Sequence, residues 1–312
     1  MNIDYFLCVF LILYLYEMKQ IDLVEIKDFQ AQLNDKQFYA NTISTHLLQN
    51  HKRIEKPHKH NFYATFLFIK GHGIHEIDYN SFEVKPGALF FLYPGQIHSW
   101  ELSADCEGFL FFHTPDFFEK ANAGSSLKDF PFFHSNFIQK CFYLDVEQSK
   151  EIQSLLESLI AESEMSQWKY QQMIILYVHQ LYIKIKRFLD HRKLSNFKEG
   201  KHYEKLFWEF EKLVEKLYKE EKSASAYANR LSISQKHLSR VVKHMAEKTP
   251  TQFITERVIL EAQRLIHFSN LNFQEIANEL GYEDYSYFTK IFKKETNETP
   301  TNFRVKYKKD GF

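Results

Sequence analysis

Two segments of this chain repeat each other at a distance of 49 to 50 residues, and that echo limits the fold more than any other feature. Ala226-Tyr227-Ala228-Asn229-Arg230-Leu231 aligns with Glu275-Ile276-Ala277-Asn278-Glu279-Leu280 at an offset of 49. Leu238-Ser239-Arg240 aligns with Phe288-Thr289-Lys290, Thr249-Pro250-Thr251 with Thr299-Pro300-Thr301, and Phe253 with Phe303, all at an offset of 50. The second copy therefore carries one extra residue between the matched segments, where a turn absorbs it most cheaply. One supersecondary unit is used twice.

The second copy shows what the unit is. From Phe273 to Asn302, Ile276, Ala277, Leu280, Phe288, Ile291 and Phe292 recur at three- and four-residue spacings, the period of helices with one buried face. Gly281 interrupts the pattern, and glycine supplies the left-handed backbone that a tight inter-helix turn needs. Asp284 follows as an N-cap, with Ser234 at the same place in the first copy. Helix, glycine turn and capped helix make a helix-turn-helix, whose second helix lies in the DNA major groove.

The two second helices have comparable outer faces. In the first, running over Gln235–Met245, Leu238, Val241 and Val242 are expected to face inward. Lys236, His237, Ser239, Arg240 and Lys243 are expected to face outward. The second exposes Tyr285, Ser286, Thr289, Lys290, Lys293 and Lys294. Arg240 can pair with guanine O6 and N7, and Ser or Thr can meet a base edge. Lys243, Lys293 and Lys294 sit late in their helices, where a phosphate contact positions without specifying. Between the units, Thr251–Phe268 reads as one helix of roughly 27 Å at ~1.5 Å per residue. With its flanking turns it can set two recognition helices about one DNA turn (~34 Å) apart.

The charge balance fits a reader joined to a sensor. Residues 1–200 hold 20 Lys and Arg against 24 Asp and Glu, whereas residues 201–312 hold 20 against 16. Cys8, Cys106 and Cys141 form no CxxC and read as small buried hydrophobes of a reducing cytoplasm. Tyr5–Tyr16 is a run of 12 apolar or aromatic residues, roughly 18 Å as a helix and short of a ~30 Å bilayer core. No Lys or Arg precedes it, and polar sequence begins at Met18. Residues 1–17 are therefore read as a mis-annotated start, with a membrane-associated N-terminus as the alternative.

The front half reads as β structure. Phe62–Lys70 is rich in aromatic and β-branched residues and ends at Gly71-His72-Gly73. Ile74–Tyr79, Ser81–Val84, Ala88–Tyr93, Ile97–Leu102 and Gly108–His113 follow at close spacing, punctuated by Pro86-Gly87 and Pro94-Gly95. Many short strands with regular turns predict a small β-barrel or jelly roll. His58-Lys59-His60 and the later His98 resemble the cupin pattern, in which such histidines converge inside the barrel on a metal. Tyr63, Ala64 and Thr65 stand where that pattern has a glutamate, so no metal or other cofactor is expected. His58, His60, Tyr63, Thr65 and His98 are instead candidate effector-binding residues in a Phe-lined pocket. His72 and His75 are expected to flank a hairpin turn and lie exposed. Residues 114–146 read as irregular, with Ala123-Gly124-Ser125-Ser126 as a loop and Phe130-Pro131-Phe132-Phe133 as an apolar plug.

Two helices, Ser149–Met165 and Gln167–Asp190, then follow, either packing on the barrel or forming a homodimer seam. Arg187–Tyr203 is polar and charged, contains Gly200, and reads as the linker. A further helix, Glu204–Lys219, turns Leu206, Phe207, Phe210, Leu213, Val214 and Leu217 to one side.

The C-terminal region resembles the DNA-binding domain of the AraC/XylS family of bacterial transcription regulators. The resemblance is carried by Ala277, Gly281-Tyr282-Glu283-Asp284, Tyr287-Phe288, Phe292-Lys293-Lys294, Thr299-Pro300 and Phe303-Arg304. The front, with His58-x-His60 and Pro94-Gly95-Gln96-Ile97-His98, is similar to the cupin-like effector domain of many members. The resemblance implies a multidomain α+β protein. Residues 19–146 would be a cupin-like β-barrel, 147–200 a helical linker and dimerisation region, and 201–308 an all-α domain with two helix-turn-helix units. It implies a cytoplasmic regulator that is mostly an activator, binds double-stranded promoter DNA, responds to a small-molecule effector and contacts RNA polymerase. The family's base-contacting positions fall on Lys236, Ser239 and Arg240, then Tyr285, Ser286 and Thr289. Two departures stand out. Glu247 and Asn297 hold the place of a glycine before the Thr-Pro turn, and Val242 stands where Phe292 stands in the second copy. The competing reading is a metal-dependent cupin enzyme with a helical appendage.

Overall fold

Residues 22–29, 37–54, 56–120, 127, 130–133, 140–165, 167–192 and 200–309 are described by the computed structural model of the chain. They fall into two compact units, one within Asp22–Phe197 and the other in the described part of Lys198–Phe312. The expectations for residues 1–17 and for the 123–126 loop lie outside the described residues, as does Cys8.

The first unit holds ten strands among its described residues. They are β1 (Leu23–Val24), β2 (Phe38–Thr42), β3 (His58–His60), β4 (Tyr63–Lys70), β5 (Gly73–Ile77), β6 (Asn80–Val84), β7 (Ala88–Leu92), β8 (Ile97–Leu102), β9 (Glu107–His113) and β10 (Cys141–Tyr143). Helix α1 (Ile43–Ile54) follows β2, and the short α2 (Pro115–Lys120) follows β9. Two five-stranded sheets form, one in the order β1-β3-β8-β5-β6 and the other β10-β7-β4-β9-β2. Residues from both sheets share one core, with Phe66, Phe90 and Phe112 of the second sheet packed with Ile77 and Val84 of the first. This is the double-sheet jelly roll expected from the strand spacing.

The strand alternation decides what lies inside. On β4, Ala64, Phe66 and Phe68 enter the inter-sheet core, whereas Tyr63, Leu67 and Ile69 pack into a second core on the sheet's other face. That second core is closed by α3 (Val146–Met165) and α4 (Tyr170–Arg192), through Ile152, Leu156, Leu159, Ile174, Val178, Leu181 and Ile185. Phe132 of the apolar plug stacks on Phe91 with ring centroids 4.2 Å apart. The helical pair thus packs on the barrel unit. Gly71-His72-Gly73 joins β4 to β5 across the two sheets, so it is not a hairpin turn. The hairpin lies one strand later, at Asp78-Tyr79, where both residues have positive φ (47° and 65°) as a two-residue turn between twisted strands requires. Helix α1 has no counterpart among the elements read from the sequence, although Ile43, His46 and Leu47 turn to the core at helical spacing.

The second unit contains α5 (Gly200–Leu217), α6 (Ala224–Arg230), α7 (Gln235–Ala246), α8 (Pro250–Phe268), α9 (Phe273–Glu279), α10 (Tyr285–Thr296) and α11 (Pro300–Lys309). The repeated pairs are α6–α7 and α9–α10, and both use the same turn. In the first, Ser232 N–H donates to Asn229 O at 3.0 Å and Ile233 N–H to Ala228 O at 3.0 Å. In the second, Gly281 N–H donates to Asn278 O at 2.9 Å and Tyr282 N–H to Ala277 O at 2.9 Å. Ser232 and Gly281 are both left-handed, with φ of 56° and 74°. The extra residue of the second copy falls just beyond this turn, before the Asp284 cap. Thr249 begins α8 with a capping box to Gln252, and Thr299 Oγ1 accepts from Asn302 N–H at 3.2 Å at the start of α11. Helix α8 is the common core element, burying Phe253, Ile254, Val258, Ile259, Ala262 and Ile266. Arg257 ties it to α5: its Nε donates to Glu215 at 2.7 Å and its guanidinium lies 4.0 Å over the Tyr218 ring. Among the described residues no helix is long and apolar enough to cross a membrane.

Candidate nucleic-acid interface and barrel interior

Each recognition helix is fixed from both ends. Ser234 Oγ accepts from His237 N–H at 3.1 Å, and Asp284 Oδ1 accepts from Ser286 N–H at 2.7 Å, so both predicted N-caps form. Glu247 and Asn297, at the far ends, are both left-handed with φ of 59° and 60°. Glu247 therefore terminates its helix with the same backbone as Asn297, although its side chain gains nothing from that conformation. Leu238, Val241, Val242, Phe288 and Phe292 are buried and hold the helices to their heads.

With the inner faces fixed, the outer faces follow. Lys236, Arg240 and Lys243 are exposed on α7 and Ser239 is half-buried. On α10, Ser286, Lys290, Lys293 and Lys294 are exposed, and Tyr285 and Thr289 are half-buried. Tyr285 leans back on its own head, its ring 6.4 Å from that of Phe288. Lys243 Nζ donates to Glu247 O at 2.9 Å and so caps its own helix. His237 does not face outward freely, because its ring meets Tyr203 of α5 at 5.8 Å. Gln235 and Tyr287 are exposed beside these residues and extend both outer faces. Tyr287, named above only with Phe288 as a family-pattern residue, is exposed whereas Phe288 is buried. Arg304 braces the second head: Nη2 donates to Leu271 O at 2.7 Å, Nε to Ile266 O at 3.1 Å, and the guanidinium stacks 4.2 Å over Phe273.

The barrel interior gathers more histidines than the motif showed. His58, His60, His75 and His98 are all buried. His58 and His98 have ring centroids 4.4 Å apart, and His60 and His98 5.2 Å. His75 Nε2 and His98 Nδ1 share one N–H across 3.0 Å. His75 is thus interior rather than exposed, because it lies on the same side of β5 as Ile77. His46 joins from α1, bonded to Tyr39 Oη at 3.0 Å. Tyr63 and Thr65 depart from expectation in the opposite sense. They lie on the outer face of β4, where Tyr63 stacks on His113 and meets Phe133 edge-to-face beneath the helical pair. They do not line the histidine-bearing interior, since side chains two residues apart on a strand share a face and these two oppose Phe66.

Burial pushes every one of these imidazoles toward neutrality. His46, His60 and His75 are lowered to about 3, His98 is held well below the usual range, and His58 is lowered. His58 Nδ1–H donates to Lys56 O at 2.9 Å and His60 Nδ1–H to Phe62 O at 2.7 Å. His60 Nε2, His75 Nδ1 and His98 Nε2 have no hydrogen-bond partner among the described residues. Among those residues no group of three or more His, Cys, Asp or Glu side chains is placed to hold a metal ion. On the outer face of the second sheet, Tyr182 Oη donates to His113 Nε2 at 2.8 Å, a buried polar link between β9 and α4.

A barrel with a buried polar interior, followed by two matched helix-turn-helix heads, defines a ligand-binding unit joined to a DNA-binding unit. Residues 46–181 match the AraC-like ligand binding domain and residues 227–306 the helix-turn-helix domain. The HTH-type transcriptional activator RhaR of Escherichia coli (strain K12) is 24% identical over 251 residues, covering 79% of this chain and 86% of that protein. Histidine kinase P4 of Formosa agariphila is 27% identical over 144 residues, covering 42% of this chain, and this chain spans 10% of that protein's length. Among solved structures, ToxT from Vibrio cholerae aligns over 86% of this chain and 98% of its own, with 12% identity and a TM-score of 0.43. The chain belongs to the AraC family and is an AraC-type transcription regulator with a ligand-binding domain and a helix-turn-helix DNA-binding domain.

Proposed function

We propose that this regulator reads promoter DNA with α7 and α10 in successive major grooves and activates transcription when a small polar effector enters the barrel. The carrying observation is the pair of heads with matching turn hydrogen bonds, caps and polar outer faces on one shared core. Lys236, Ser239 and Arg240 of the first head and Tyr285, Ser286 and Thr289 of the second are assigned to bases. Lys243, Lys290, Lys293 and Lys294 are assigned to phosphates. The unpartnered nitrogens of His60, His75 and His98 support a polar effector, because buried groups of this kind gain most from a ligand's hydrogen bonds. His58, His60 and His98 remain its assigned contacts, and His75 joins them.

Activation is assigned by similarity to RhaR, which is named an activator, and implies a contact with RNA polymerase in the cytoplasm. A homodimer is assigned to the outer face of α4. Met173, Leu176 and Ile183 are exposed there at three- and seven-residue spacings, the pattern of a coiled-coil seam. Leu176→Glu should then shift the sedimenting species to monomer, and an unchanged mass would show that α4 forms no dimer seam. The DNA reading is tested by footprinting the full chain on promoter fragments across a salt series. A protected site that weakens with salt is expected; no footprint at any salt would overturn it.

A further inference from the structure

The segment after α5 touches both heads, although it belongs to neither. Residues 218–222 turn between α5 and α6 and lie against the turn of the second head, far along the chain. Gly281 approaches so closely that a Cβ there would overlap the Lys219 carbonyl oxygen. Lys219 pairs with Glu279, and Lys222 Nζ sits 5.0 Å over the Tyr282 ring. Lys222 also donates to Lys219 O at 2.9 Å and Tyr218 O at 3.3 Å, so it holds the loop in shape while meeting the second head. Burial lowers the Lys222 ammonium from its ordinary value, as expected for a cation turned into protein.

The first head holds the same loop from the other side. Tyr227 is buried on α6, and its Oη donates to Glu221 O at 3.0 Å. In the repeat, Tyr227 aligns with Ile276, which has no hydroxyl to give. The two copies therefore differ at the position where the first one grips the loop. The Lys219–Glu279 pair is itself worth little, with side chains 40% and 49% exposed. The close packing at Gly281, the Lys222 contacts and the Tyr227 bond carry the link.

We infer that the 218–222 loop is a splint that fixes the distance and angle between the two recognition helices, so that Tyr227, Lys222 and Gly281 determine which spacing between DNA boxes is read. The inference rests on the DNA reading proposed above. Helix α8 joins the heads covalently through one strut, about which they could pivot; the splint supplies a second attachment and removes that freedom. One base pair of added spacing moves a box by ~3.4 Å and rotates it by roughly a tenth of a turn, which a rigid pair of heads cannot follow. These are positioning residues, acting on spacing through the heads and not through base contact.

The test uses the full chain and a two-box duplex selected with it from a randomised library, alongside derivatives with one base pair inserted or deleted between the boxes. The wild type should lose at least ~10-fold in affinity on either derivative, as expected when one head gives up its base contacts. Tyr227→Phe, Lys222→Met and the double variant should bind the selected duplex more weakly and lose most of that discrimination, to a ratio below about 3-fold for the double. Glu279→Gln should have little effect. A folded variant that keeps the wild-type ratio overturns the splint, and so does an equal loss on all spacings, which would mark a simple phosphate contact. Should Lys222→Met fail to fold, Tyr227→Phe alone carries the comparison, since it removes one hydroxyl. A wild type that binds the two-box site but tolerates both spacings overturns the splint and leaves DNA reading intact. A wild type that selects no two-box site overturns both.

Discussion

Acid should unfold the effector unit before it affects the reader, and the size of the effect follows from the buried histidines. His46, His60 and His75 are held at about 3, and His113 at about 4, all by burial. In the unfolded chain each returns to about 6.5. Below that value the unfolded state binds more protons than the folded one, so stability is complete above pH ~6.5 and is lost as pH falls toward 4. At pH 5 each such histidine costs about 2 kcal/mol, or about 8 kcal/mol for the four. That rivals the ~5–15 kcal/mol by which a typical domain is stable. Thermal melts of the full chain followed by near-UV circular dichroism, from pH 7.5 to 4.5, measure this. The effector unit's transition should fall steeply below pH 6 and vanish near pH 5, and replacing one cluster histidine with Gln should reduce the slope by about one proton. A melting temperature that is level from pH 7.5 to 4.5 would refute the burial argument.

Three further outcomes are expected. Arg240→Ala should cost ~1–3 kcal/mol on the specific site if it reads a guanine, seen in a competition assay; an equal loss on random DNA would make it a phosphate contact. Lys293→Ala should weaken all sequences alike and lower the salt slope by about one. Glu247→Gly should stabilise the first head by roughly 1 kcal/mol or less, because the left-handed backbone there (φ 59°) suits glycine; a lower melting temperature would show that the Glu247 side chain matters.

The reader was legible because its signals are local and doubled. Helical period, a turn residue and a cap specify each head, and the repeat shows that the reading is not chance. The Glu247 departure did not change the helix end, since the Thr249-Pro250 start of the next helix forces the same turn. The strands were legible too, from aromatic runs and turn dipeptides. Which face of a strand looks inward was not. Tyr63 and Thr65 lie next to Ala64 and Phe66, and a one-residue difference in phase exchanges interior for exterior. His75 hid for the same reason, because Gly71-His72-Gly73 imitates a hairpin while carrying the chain between sheets. The 218–222 loop carries no periodicity, and its role appears only when Gly281, 59 residues beyond Lys222, is brought against it.

One chain should read two boxes one helical turn apart, and a genome-wide binding map of the protein in cells measures this. Enriched sites should contain two distinct boxes with centres about 10–10.5 base pairs apart, at constant spacing. Sites with a single box, or with two boxes at variable spacing, would contradict it.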